Sequence, residues 1–179
     1  NQGMIVVPVL PDFTSEEIEN VLIHSEAKGL FVSDKLYSKI IGIDFPNLEL
    51  IIKVDDLSII YCNTEPIENF QLKNINVDED DLAAIIYTSG TTGRSKGVML
   101  SHKNITFIAM QSYTVQPINH NDVFLSFLPL SHTYENTIVM YGASIYYLEK
   151  PPTAATLLPA MQMINPTMML SVPLIMEKI

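Results

Sequence analysis

Cysteine is nearly missing from this 179-residue chain. Cys62 stands alone, so no internal disulfide can form, and the composition fits a reducing compartment. Tryptophan is absent, and seven glycines against eleven prolines give no sign of low complexity. No uninterrupted apolar run approaches the roughly 18–20 residues that span a bilayer, and no signal-peptide pattern opens the chain. The expectation is a cytoplasmic protein, with contact at a membrane surface left open. Basic residues are few, 10 against 20 acidic ones, for a formal charge of −10. That balance argues against a broad electrostatic footprint for nucleic acid. Hydrophobic residues, at 47%, are enough for a packed core and argue against wholesale disorder.

One local absence points the other way. Between Asp81 and Asp122 there is no acidic residue, while Arg94, Lys96 and Lys103 fall inside the gap. At 20 acids in 179 residues, those 40 positions should hold about four or five. An anion site in an otherwise acidic protein would need such a local reversal of field.

The apolar pattern alternates strands with helices. Met4–Leu10, Leu30–Ser33, Leu48–Val54, Ala83–Tyr87, Val123–Leu128, Ala143–Leu148 and Thr167–Val172 read as strands, and Val98–Leu100 as extended. Thr14 and Glu17 have capping-box spacing before Ile18, Val21 and Leu22, and Gly29 suits a position past that helix end. Further helices are expected near Lys35–Ile41, after Ser101 with a face of Ile105, Ile108 and Ala109, over Thr133–Met140, after Thr153, and from Pro173. Asp55–Asp81 reads as an irregular connection whose run Asp78–Asp81 is a solvated lead-in, with no metal assigned. The fold class is α/β, a largely parallel sheet flanked by helices. The pattern starts inside a strand and stops inside a helix, so residues 1–179 are expected to be part of one domain, truncated at both ends.

The most specific feature is Thr88-Ser89-Gly90-Thr91-Thr92-Gly93-Arg94-Ser95-Lys96-Gly97, directly after an apolar strand. Its glycines allow positive φ and close backbone approach to a ligand. Successive N–H groups can form an anion-binding nest, and the hydroxyls of Thr88, Ser89, Thr91 and Thr92 add donors. Lys96 supplies a point charge suited to phosphate. The spacing is not that of the NTPase P-loop, since Gly97 stands where a Ser or Thr would hold magnesium.

Tyr87–His102, YTSGTTGRSKGVMLSH, resembles the phosphate loop of the adenylate-forming superfamily, with Ser95 where that family usually has Pro. Proline would fix φ there, so Ser95 is expected to leave the loop more mobile. Phe127–Glu135, FLPLSHTYE, resembles the family's second block, with Ser131 and Glu135 as in the long-chain ligases. Weaker resemblance to long-chain fatty-acid–CoA ligases runs through His24–Lys28, Gly142–Tyr147 and Ser171–Pro173, although Leu174 stands where relatives carry Arg.

The resemblance implies a two-step reaction. ATP and a fatty acid give acyl-adenylate and pyrophosphate, and coenzyme A then displaces AMP. It implies phosphate binding by Thr88, Ser89, Gly90, Thr91, Thr92, Gly93 and Lys96. It implies catalytic roles for Lys96 and for His132, the latter beside the acyl carboxylate. It also implies Mg2+, with Thr88 as this chain's candidate ligand. The family's magnesium-holding Glu, ribose-binding Asp and adenylation Lys have no counterpart in the chain, so the expected partners include the remainder of the same polypeptide, and the segment alone is expected to be inactive. Two alternatives stay open: activation of an amino or aryl acid, and a nucleotide- or acyl-binding protein without catalysis.

Overall fold

A computed structural model describes residues 3–65, 74–88, 96–128 and 138–177. The chain divides into two compact units, Asn1–His102 and Lys103–Ile179.

The first unit opens with an extended stretch rather than the expected strand over Met4–Leu10. Only Val6 pairs, in a parallel bridge to Ala84. Pro8 removes a ladder donor there, which limits the pairing. Helix α1 (Ser15–His24) starts at the expected capping box, Thr14 and Glu17 each satisfying the other's backbone N–H. Ile18, Val21 and Leu22 form its buried face. Its end is not marked by Gly29, which already lies in strand β1 (Gly29–Val32). Instead Glu26 turns the chain with φ of 52°. Helix α2 (Asp34–Tyr37) is a single turn.

Strand β2 (Leu50–Lys53) pairs parallel with β1 and antiparallel with β3 (Ile59–Cys62). Strand β3 lies inside the segment expected to be irregular. Ile18, Leu22, Val32, Ile40 and Leu48 form the core against which these elements pack. The acidic run is a solvent-exposed turn in which Asp81 and Asp78 accept from the N–H groups of Asp78 and Asp80. Strands β4 (Leu82–Thr88) and β5 (Lys96–Ser101) close the unit as an antiparallel pair.

In the second unit, helix α3 (His102–Val115) runs in from β5. Of its expected apolar face, Ala109 is buried but Ile108 is 56% exposed. Strand β6 (Val123–Ser126) lies between β7 (Ser144–Tyr147) and β8 (Met168–Met169), parallel to both. Ile118, Phe124 and Ile138 make the core, with Met168 packed on it. Helix α4 (Ala154–Ile164) begins at its N-cap Thr153, whose backbone N–H donates to the Thr156 hydroxyl, and ends at left-handed Asn165, immediately before Pro166. Pro173 opens the short helix α5 (Pro173–Met176).

The α/β class holds, with a qualification on sheet direction. Among the described residues, β1·β2, β6·β7 and β6·β8 are parallel, while β2·β3 and β4·β5 are antiparallel. Seven residues join β4 to β5, too few for the crossover of a dozen or more that a parallel pair requires. No helix among the described residues is long and apolar enough to cross a membrane.

Candidate functional site

Strand β4 leads directly into the glycine- and hydroxyl-rich segment. Ala83, Ala84 and Tyr87 are buried, and the strand reaches solvent at Thr88. Lys96 begins β5 directly opposite Thr88, with Gly97 opposite Tyr87. Directly opposed residues of an antiparallel pair project from the same face. Thus the first hydroxyl and the lysine of the candidate loop stand side by side at its two ends, both exposed. That places a donor and a cation together where an anion could approach from water. Ser89, Gly90, Thr91, Thr92 and Gly93 lie outside the described residues, as do Ser95 and His132 with most of its block.

Gly97 departs from the sequence expectation. It sits in extended strand, not at positive φ. Its requirement is space: a Cβ there would come within 2.8 Å of Ile85 Cγ2 and 3.2 Å of Tyr87 Cζ. The close approach is to the protein's own side chains.

Tyr87 has a partner that sequence reading missed. Its hydroxyl lies 2.6 Å from Nδ1 of His24, the last residue of α1 and 63 positions away. The rings meet edge to face, 5.8 Å between centroids at 86°. Burial pushes the Tyr87 phenol above its ordinary pKa, so the phenol keeps its proton at neutral pH, and which of the two groups donates is set by the imidazole tautomer. No local spacing joins the two residues, and only the fold brings them together.

Thr88 is a hard oxygen donor of the kind magnesium accepts, but one hydroxyl is not a site. Among the described residues no group of three or more His, Cys, Asp or Glu could hold a metal ion.

Comparison with known proteins places the geometry in context. The family model described as AMP-binding enzyme matches residues 1–179. Long chain acyl-CoA synthetase 2 of Arabidopsis thaliana is 28% identical over 209 residues, covering all of this chain and 31% of its own length. A long-chain-fatty-acid-CoA ligase from Archaeoglobus fulgidus superposes with a TM-score of 0.75 at 26% identity, over 96% of this chain and 35% of that one. O-succinylbenzoate coenzyme A synthetase from Bacillus subtilis, in complex with ATP and magnesium ion, gives 0.71 at 24%, over 96% and 44%. The chain therefore spans under half the length of each of these three.

Proposed function

Because the chain belongs to the AMP-binding enzyme family, we propose that it is the phosphate-gripping part of an ATP-dependent long-chain fatty-acid–CoA ligase. The observation that carries this reading is the register that sets Thr88 opposite Lys96 at the mouth of the loop. The long-chain preference is supported by the resemblance of Ser131 and Glu135 in the Phe127–Glu135 block to long-chain ligases and by the Arabidopsis relative. Residues 1–179 would then be a partial nucleotide-binding domain, completed by further polypeptide.

The chain's contribution is binding and electrostatics. Lys96 stabilises negative charge on the β- and γ-phosphates as pyrophosphate leaves. Hydroxyls of Thr88, Ser89, Thr91 and Thr92, with backbone N–H groups around Gly90 and Gly93, hold the remaining phosphate oxygens. Thr88 would also offer its oxygen to Mg2+, which when bound shares the phosphate charge. His132 orients the fatty-acid carboxylate for in-line attack on the α-phosphorus. Coenzyme A would accept the acyl group in the second half-reaction. The substrates are thus ATP, a fatty acid and coenzyme A, in a cytoplasmic enzyme that makes peripheral contact with a membrane.

The test is acid-dependent ATP/pyrophosphate exchange by the complete polypeptide across long-chain, short-chain, aryl and amino acids. Exchange driven best by long-chain acids is expected. Exchange driven only by aryl or amino acids would overturn the substrate assignment, and none with any acid would overturn the reaction.

A further inference from the structure

Tyr87 is the last buried residue before the loop, and three contacts hold it. The β4–β5 ladder fixes its backbone opposite Gly97. The absent side chain of Gly97 leaves room for its ring, whose Cζ would be 3.2 Å from a Cβ at that position. His24 Nδ1 then meets its hydroxyl at 2.6 Å. His24 is itself well anchored, because α1 is capped by Thr14 and Glu17 and buries Ile18, Val21 and Leu22. A hydroxyl on a tyrosine only 6% exposed loses more than a surface hydroxyl would if its partner were removed.

We propose that Tyr87 and His24 are a positioning pair that pins the root of the phosphate loop to α1, holding Thr88 and Lys96 at the separation the nucleotide's phosphates require. This rests on the phosphate-binding reading above. Neither residue is assigned contact with the substrate. Their effect passes through Thr88, the next residue in the chain, and through Gly97, next to Lys96.

The experiment is a double-mutant cycle in the complete polypeptide with His24→Ala, Tyr87→Phe and the pair, alongside Lys96→Ala and the conservative His24→Asn. KM for MgATP, the acid and coenzyme A are measured separately, together with the melting temperature. Each single variant should raise KM for MgATP about 3- to 10-fold, the scale of one hydrogen bond. The other two KM values should stay in place, and the pair should be no worse than one single variant. His24→Asn, whose amide can occupy the Nδ1 position, should recover most of the loss.

A fall in melting temperature with KM for MgATP unchanged would show a purely structural contact and overturn the proposal. Additive effects of the two residues, or equal rises in all three KM values, would do the same. Should His24→Ala fail to fold, Tyr87→Phe keeps the ring and removes only the hydroxyl. If Lys96→Ala raises KM for MgATP while Tyr87→Phe does not, this inference alone is lost. If Lys96→Ala is also silent, the phosphate-loop reading goes with it.

Discussion

Strands β4 and β6 both lead into segments singled out in the sequence, yet they are built differently. Strand β6 has a parallel neighbour on each side, and Phe124, Leu125 and Ser126 are all buried. Strand β4 has a full antiparallel partner on one side and, on the other, a single bridge to Val6. Its partner β5 leaves Val98 and Met99 exposed, Met99 at 66%. The contrast separates two jobs. The β6 sheet is held by packing on a central apolar strand. The β4–β5 hairpin is held by register and by a few specific contacts, and it delivers a hydroxyl and a cation to solvent.

The largest effect should come from attacking β6. Phe124→Ala removes a ring that is 1% exposed and should destabilise by about 3–5 kcal/mol, measured by urea unfolding. A loss under about 1 kcal/mol would mean that packing does not dominate there.

On the hairpin, Lys96→Ala should leave folding nearly intact. It should slow adenylation on the order of 10- to 10³-fold, with thioester formation from preformed acyl-adenylate less affected. Equal loss in both half-reactions would remove the functional half of the contrast. Gly97→Ala sets a Cβ 2.8 Å from Ile85 Cγ2 and should cost about 1–3 kcal/mol by overpacking. An unchanged unfolding midpoint would show that Ile85 and Tyr87 can give way.

The smallest effects lie at α1, which supports the hairpin. Thr14→Ala removes the cap and should cost about 1 kcal/mol. Glu17 accepts the Thr14 backbone N–H and hydroxyl, and these bonds hold its carboxyl below the ordinary 4.5. A carboxyl with a depressed folded pKa stabilises fully above its unfolded value and loses that contribution as pH falls through the folded one. The stability gap between the parent and Glu17→Gln should therefore narrow below about pH 4.5. A gap independent of pH would contradict this.

Much of the fold was legible because its signals are local. The Thr14–Glu17 box, the apolar runs of β4 and β6, and Thr153 and Pro173 at helix starts all depend on residues within a turn of one another. What escaped depends on distant partners. Strand β3 forms because β2 offers an edge, although Asp55, Asp56 and Asn63 around it read as a loop. Lys96 and Gly97 join β5 because Thr88 and Tyr87 are there to pair with. Met4–Leu10 carries strand-like residues but pairs only at Val6. The candidate loop was recognisable from composition and order alone. The His24–Tyr87 contact was not, since neither residue bears a local mark of the other.

The pairing of Thr88 with Lys96 makes parity, more than length, the constraint on this segment. Residues added between the two strands leave the register of the ladder as it is. One residue added within β5, between Gly97 and Val98, would do something different. Unless a bulge absorbed it, Lys96 would come out on the opposite side of the ribbon from Thr88. Two residues added at the same point would restore the original side. A phosphate grip built on a hairpin is thus set by register: an insert of two keeps the side but carries Lys96 past Thr88 and sets a Cβ where Gly97 leaves no room for one.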